Sequence, residues 1–191
     1  MNFPLLITTL ASLSFIATPA QSAETAAKKE SPEESKASKK SEQTVLDFLS
    51  DKLVDAKGKK IAANSLKGKM VGIYFSANWC PPCHQFTPLL VDFRNKNKDD
   101  FEVIFVSSDY SDADKKAYME TYKMKWPSLA GSKSQQGDML AQAFQIPGIP
   151  TLIIIAPDGT PLTAFGREFV MSDPEGSLKI WQDAAAKVPS S

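Results

Sequence analysis

The chain has 191 residues, of which 42% are apolar, enough for the core of one ordinary domain with an appendage. Lys plus Arg and Asp plus Glu number 22 each, so the neutral net charge gives no reason to expect nucleic acid or an anionic membrane surface as a partner. Two cysteines and one histidine are too few for a disulfide-stapled scaffold or for a closed zinc site, so we expect no bound metal.

The amino-terminal segment has the features of an export signal. An apolar stretch from Phe3 to Ala17 is followed by small Ala and Ser side chains within residues 20–23, where a signal peptidase could cleave. The stretch is short and interrupted by Thr and Ser, which disfavours a transmembrane span. We therefore expect residues 1–23 to be a signal peptide and the mature protein to be periplasmic or otherwise exported. An uncleaved anchor and a disordered tail are the alternatives.

Residues 24–43 contain five Lys and five Glu but no Val, Ile, Leu or aromatic residue. Such a segment cannot bury apolar surface to offset the entropy lost on ordering, so we predict a disordered, charged linker. A charged helix is the alternative, which Pro32 and the serines disfavour. The folded domain is expected over residues 44–191.

Three nearly continuous apolar runs in this domain predict strands that are buried on both faces, as in the centre of an α/β sheet. The runs cover residues 70–76, 101–107 and 151–156. A turn at residues 157–160 leads into residues 162–165, which predicts a hairpin. Residues 53–63 predict an earlier hairpin.

Helical periodicity occupies much of the remaining chain. The expected helices are a short one containing Val45, Phe48 and Leu49, and longer ones near residues 81–96, 111–122, 137–144 and 174–187, with a loop at residues 123–135. This alternation predicts an α/β fold with a central mixed β-sheet flanked by helices on both faces.

Cys80 and Cys83 lie where the first buried strand ends and a helix begins. Unpaired backbone N–H groups and the positive end of the helix dipole face the first cysteine there, which favours its thiolate over its thiol. Pro81 fits the first helical turn, where no N–H donor is needed. Cys80 is therefore the candidate nucleophile that attacks a substrate disulfide, and Cys83 is the candidate resolving cysteine that releases the reduced substrate.

A purely structural disulfide is the alternative interpretation of this pair. Closing so short a ring contributes only about 2 kcal/mol in the chain-entropy model, against about 3 kcal/mol for a 15-residue loop. A cross-link this local stabilises a domain of this size very little, so we favour redox chemistry.

Several short segments around the pair form a specific set. They are Tyr74-Phe-Ser-Ala-Asn-Trp-Cys-Pro-Pro-Cys83, Phe86-Thr-Pro88, Phe105-Val-Ser-Ser-Asp109, Gly148-Ile-Pro-Thr151 and Asp173-Pro-Glu-Gly176. Together they resemble the thioredoxin superfamily, especially its tryparedoxin and nucleoredoxin branch. The resemblance covers about residues 65–181 and implies the thioredoxin fold.

The resemblance also implies roles for residues outside the cysteine pair. Pro150 should be a cis proline beside the cysteines, and the backbone of Ile149 should pair with an extended substrate segment. Trp79 should lie at the substrate-facing rim, whereas Trp126 fits either the rim or the core. Thioredoxins proper have a buried acid six residues before the first cysteine, but this chain has Tyr74, as tryparedoxins do. The proton acceptor for Cys83 is therefore unidentified.

Pro81, Pro82 and His84 are candidate modulators of the cysteine pair because they adjoin it in the chain. A positive charge on His84 at mildly acidic pH would favour a nearby thiolate. The alternative, which the sequence favours, is an exposed helix residue near a charged surface.

These features indicate an exported thiol–disulfide oxidoreductase that reduces protein disulfides and needs no dissociable cofactor. Its partners would be exported proteins with reducible disulfides. Because the outer compartment is oxidising, a membrane thiol carrier would have to supply electrons. A disulfide oxidase or isomerase that uses the same residues, and a non-catalytic peptide-binding module, are the alternatives. We expect a monomer.

Overall fold

The computed structural model describes residues 44–187. The predicted signal peptide and linker fall within residues 1–43, outside the described residues, and stay predictions. Within residues 44–187, every helix is too short or too polar to cross a bilayer.

A six-stranded mixed sheet forms the centre of the domain, in the order β1-β4-β3-β2-β5-β6. Strand β2 pairs in parallel with β3 and antiparallel with β5. The strands are β1 (Leu53–Val54), β2 (Met70–Ser76), β3 (Phe101–Ser107), β4 (Ser128–Leu129), β5 (Thr151–Ile155) and β6 (Pro161–Thr163).

Helices cover both faces of this sheet, as the sequence predicts. They are α1 (Val45–Leu49), α2 (Pro81–Lys96), α3 (Asp112–Thr121), α4 (Gln135–Ala143), α5 (Gly166–Ser172) and α6 (Ser177–Ala185), with a short 3-10 helix at Ala63–Leu66. Side-chain hydroxyls of Thr44, Ser111 and Ser134 accept a backbone N–H at the starts of α1, α3 and α4. These caps satisfy donors that have no partner inside the helix.

The two central strands β2 and β3 are buried along all seven of their residues. Alternate side chains therefore enter two separate cores, with Tyr74 on one face of the sheet and Ile73 on the other. Close packing between β2 and its neighbours requires glycine at position 72. A Cβ atom there would lie 2.8 Å from the Phe101 ring and 2.9 Å from Leu152.

Trp126 belongs to the core and not to the rim. It is 2% exposed and lies in the same buried cluster as Phe105, Tyr118 and Cys83. The sequence allows either the rim or the core for Trp126, and the structure shows it in the core.

Four elements differ from the prediction. The expected loop at residues 123–135 contains β4, which pairs with both β1 and β3. The first expected hairpin is reduced to β1 and an isolated bridge between Val54 and Lys60. Helix α5 was not predicted, and the last helix begins at Ser177 and not near residue 174. Elements this short carry too few residues to show a periodic pattern.

Candidate functional site

Cys80 and Cys83 form a disulfide at the amino end of α2, with their Cα atoms 5.2 Å apart. Cys80 is the N-cap residue, and the backbone N–H of Cys83 points at its Sγ atom at a distance of 3.3 Å. The same N–H also donates to the Cys80 carbonyl oxygen at 3.0 Å, so two acceptors share it. Together with the positive end of the helix dipole, it stabilises a negative charge on the Cys80 sulfur once the disulfide is reduced.

The local sequence explains why the helix begins at this point. Pro81 and Pro82 occupy the first two helical positions, where a missing N–H leaves no hydrogen bond unmade. The turn before them is closed by the Cys80 N–H, which donates to the Ala77 carbonyl at 3.2 Å. The chain thus passes directly from the buried strand β2 into α2, and both cysteines lie in that transition.

The Ile149–Pro150 segment lies beside the sulfurs, and the peptide bond between these residues is cis, as the family pattern implies. The Ile149 carbonyl oxygen is 3.8 Å from Cys80 Sγ. In the disulfide form this is a packing contact, because the sulfur carries no proton to donate. Cys80 is only 2% exposed in this disulfide form. Its sulfur faces Ile149 and Cys83 and not the solvent.

Two stacked aromatic rings flank the site on the other side. Trp79 is 50% exposed, and its ring Nε1–H donates to the Ser108 carbonyl at 3.1 Å. Its ring stacks on that of Tyr110, with centroids 5.8 Å apart. Trp79 is therefore at the rim, as expected, and Tyr110 is a rim residue that the sequence analysis missed. The available signal was an aromatic residue shortly after the end of the buried strand β3.

Asp109 supports the segment that precedes Cys80, and it was also missed as a site residue. Its carboxylate is fully buried, and it accepts the Asn78 N–H at 2.6 Å and the Ser107 hydroxyl at 2.8 Å. The Asn78 backbone is therefore fixed to the end of β3. A buried carboxylate without such donors would be costly, which explains why the polar Ser107 lies beside it.

Four buried hydroxyl groups form a hydrogen-bonded network next to Cys83. The Ser76 hydroxyl donates to Tyr74 at 2.9 Å, and the Tyr74 and Thr87 hydroxyl oxygens are 2.8 Å apart. Thr87 donates to the Cys83 carbonyl at 2.8 Å. The Tyr118 hydroxyl contacts both Ser76 and Thr87. Because the Thr87 hydroxyl proton is donated to the Cys83 carbonyl, the Tyr74 hydroxyl donates to Thr87. The network therefore has a defined direction.

Burial raises the pKa of the Tyr74 phenol far above its usual value, and burial also raises the pKa of Tyr118. Both phenols therefore keep their protons at neutral pH. The residue that replaces the buried acid of thioredoxins proper is thus a neutral hydroxyl, and it cannot accept a proton from the Cys83 thiol near pH 7.

His84 is not the exposed helix residue that we favoured from the sequence. The side chain is half-buried, and its Nδ1 atom lies 2.6 Å from the Tyr122 hydroxyl. Its Nε2 atom is hydrogen-bonded to the Asn78 carbonyl oxygen. Both ring nitrogens therefore have partners, which sequence alone could not reveal because Tyr122 is 38 residues away.

Comparison with known proteins places this geometry in a family. A family model described as Thioredoxin-like matches residues 68–160. Tryparedoxin from Trypanosoma brucei brucei is 37% identical over 129 residues, which cover 66% of this chain and 88% of that protein. The chain belongs to the thioredoxin-like family. Its similarity to tryparedoxin and to nucleoredoxin places it in the branch that the sequence motifs indicate.

Other members of the thioredoxin-like family agree with this assignment. The solved structure of tryparedoxin II from C. fasciculata superposes with a TM-score of 0.62 at 37% identity, covering 69% of this chain and 88% of that one. Mouse nucleoredoxin is 37% identical over 130 residues, or 66% of this chain, but the match spans only 29% of its own length. The thioredoxin fold predicted from the sequence is confirmed.

Family membership has a direct chemical consequence. Thioredoxin-like proteins work through their own cysteine redox centre and need no external cofactor. The chain is therefore a thioredoxin-like redox protein. Its sequence contains two cysteines, Cys80 and Cys83.

Proposed function

We propose that this protein reduces disulfide bonds in other proteins through Cys80 and Cys83. The observation that carries the proposal is the Cys83 N–H directed at Cys80 Sγ at 3.3 Å, at the start of a 16-residue helix. A helix end that stabilises a thiolate makes its sulfur a nucleophile at neutral pH.

The reaction proceeds by two exchanges. The Cys80 thiolate attacks one sulfur of the substrate disulfide, the substrate S–S bond breaks, and a mixed disulfide forms. The Cys83 thiol then loses its proton and attacks Cys80 Sγ, which releases the second substrate sulfur as a thiolate. Two electrons pass from the dithiol to the substrate, and both substrate thiolates are protonated from water. Because Tyr74 is protonated at neutral pH, we assign the removal of the Cys83 proton to water.

The backbone at Ile149 is suited to hold an extended substrate segment. Strand β5 begins at Thr151, so the Ile149 peptide groups lie beyond its pairing with β2. An extended segment that adds to this edge would place a sulfur against Cys80, next to the rings of Trp79 and Tyr110. Specificity would come from this rim, and affinity from main-chain hydrogen bonds.

The same proposal includes export and an external electron source. The apolar segment at residues 3–17 supports a signal peptide, and the redox chemistry would then operate in an oxidising compartment. A dithiol reductant there must be regenerated, and a membrane thiol carrier is the donor that we propose. Expression of the full chain, followed by fractionation and amino-terminal sequencing, tests this part. A mature protein beginning near residue 21–24 is expected, and an uncleaved cytosolic chain would contradict it.

Insulin reduction by the full chain, with dithiothreitol as electron donor, tests the reductase activity. We expect multiple turnovers, whereas a non-catalytic peptide-binding module would give none above the dithiothreitol background. Equilibration with glutathione then separates reductant from oxidase. A potential near the thioredoxin value of about −270 mV supports a reductant, and one near about −120 mV supports an oxidase.

A further inference from the structure

The imidazole of His84 is engaged on both of its nitrogens in the immediate vicinity of the cysteine pair. It contacts the Asn78 carbonyl oxygen through Nε2 and the Tyr122 hydroxyl through Nδ1. The ring also packs edge-on against Tyr118, with centroids 5.4 Å apart. The side chain therefore has one well-defined orientation.

The partners determine where the ring proton lies. A carbonyl oxygen only accepts hydrogen bonds, so Nε2 carries the proton and donates it to Asn78. In the neutral ring Nδ1 then accepts from the Tyr122 hydroxyl. The hydrogen bonds run in one direction, from Tyr122 through His84 to the Asn78 carbonyl.

Asn78 is thereby held from two sides. Its N–H donates to the buried Asp109 carboxylate at 2.6 Å, and its carbonyl accepts from His84. The next residue, Trp79, is bound through its ring N–H to the Ser108 carbonyl. The segment that leads into Cys80 is thus fixed between the end of β3 and the first turn of α2.

We propose that His84 is a positioning residue that keeps Cys80 in place after the disulfide is reduced, an inference that rests on the proposed function. In the oxidised form the Sγ–Sγ bond ties Cys80 to Cys83. Reduction removes that bond, while the His84–Asn78 hydrogen bond persists and still links α2 to the segment before Cys80. The hydrogen bond therefore contributes more to the order of the dithiol form than to that of the disulfide form.

A direction follows for the redox equilibrium. Loss of the hydrogen bond destabilises the dithiol form relative to the disulfide form, so it shifts the equilibrium toward the disulfide. For His84→Leu we expect the equilibrium constant for reduction of the Cys80–Cys83 disulfide by glutathione to fall about threefold. This is equivalent to a shift of about 14 mV toward more negative potential, at about 29.6 mV per tenfold. The kcat/KM for insulin should fall as well, because a less ordered Cys80 reaches its attack geometry less often.

Two conservative variants separate positioning from packing. Glutamine places an amide N–H where Nε2 lies, whereas asparagine places its amide N–H near Nδ1. His84→Gln should therefore keep an equilibrium constant close to that of the wild type, and His84→Asn should not. Gln85→Leu is the matched control, because it introduces the same side chain at the next position of α2, where the residue is exposed, and this variant should equal the wild type. If the Leu, Gln and Asn variants all behave alike, or if none differs from the wild type, the proposal is wrong.

A direct readout is available because His84 is the only histidine in the chain. Long-range nitrogen–proton NMR correlations of the neutral ring should show the proton on Nε2 in both redox forms. A proton on Nδ1 in the dithiol form would overturn the proposal. These measurements need no protein substrate. A chain that shows them but fails to reduce insulin would contradict the proposed function and leave the positioning role intact.

Discussion

The Ile149 carbonyl oxygen lies 3.8 Å from Cys80 Sγ, although the two residues are 69 positions apart in the chain. The sheet creates this proximity, because Thr151 at the start of β5 pairs with Phe75 near the end of β2. The segment before β5 and the segment after β2 therefore emerge at the same edge. A substrate strand that pairs at Ile149 would meet the sulfur at the point where helix α2 stabilises its charge.

The aromatic rim should contribute to substrate binding and not to folding. Tyr110 is 71% exposed and stacks on Trp79. We expect Trp79→Ala and Tyr110→Ala each to raise the KM for insulin about fivefold, since buried aromatic contacts dominate interface energies. Urea unfolding should change by less than about 0.5 kcal/mol for Tyr110→Ala. Ile180→Ala, which removes an exposed apolar side chain from α6, is the control and should leave KM unchanged. An unaltered KM in both rim variants would exclude this role.

The buried Asp109 carboxylate should contribute to the stability of the folded domain. Asp109→Leu leaves the Asn78 N–H and the Ser107 hydroxyl without their acceptor. We expect the free energy of unfolding to fall by about 2–4 kcal/mol, measured with urea, because unsatisfied buried donors carry a desolvation penalty. Ser107→Ala removes one donor to the carboxylate and the acceptor of the Asp109 N–H, and it should cost about 1–2 kcal/mol. Equal losses in the two variants would show that the Asn78 contact contributes nothing.

The buried phenol of Tyr74 makes stability depend on alkaline pH. Burial raises the pKa of Tyr74, so above about pH 10 the unfolded chain releases a proton that the folded chain retains. The stability is therefore complete below that pH and declines above it, by up to about 1.4 kcal/mol per pH unit for this phenol. Urea unfolding at pH 9, 10 and 11 should show a shallower decline for Tyr74→Phe. Parallel declines would contradict the assignment.

The Tyr74→Phe variant also tests whether the hydroxyl at position 74 acts as a general base. A general base typically accelerates a reaction by about 10² or more. Because Tyr74 stays protonated near neutral pH, Tyr74→Phe should keep the insulin-reduction rate at pH 7 within about twofold of the wild type, well short of that factor. A hundredfold loss in a folded variant would show that the hydroxyl network takes part in proton transfer.

Strands and helices with a strong local pattern could be predicted from the sequence. The bounds of β2, β3 and α2 are those that the apolar runs and the helix signals predict. The reason is physical: β2 and β3 are buried on both faces, and α2 begins at a Cys-Pro-Pro sequence that fits a helix start. The roles that we propose for Cys80 and Cys83 rest on the same strand-to-helix transition.

Residues whose role depends on distant partners could not be predicted in this way. Strand β4 has two residues, and its pairing with β1 and β3 is a tertiary contact without a sequence pattern. The contacts of His84 and Asp109 with the Asn78 backbone exist only in the folded chain, so the sequence does not show them. Tyr110 becomes a rim residue only because Trp79 stacks on it.

The assignment of Cys80 as nucleophile and Cys83 as resolving residue has one most direct test. Cys83→Ser protein, reduced and mixed with a disulfide-bonded substrate such as insulin, should accumulate a covalent complex through Cys80, detected by non-reducing electrophoresis and mass spectrometry. Cys80→Ser should form no such complex and show no turnover. Full multiple-turnover reduction by Cys83→Ser, or a complex trapped through Cys83 in Cys80→Ser, would contradict the account.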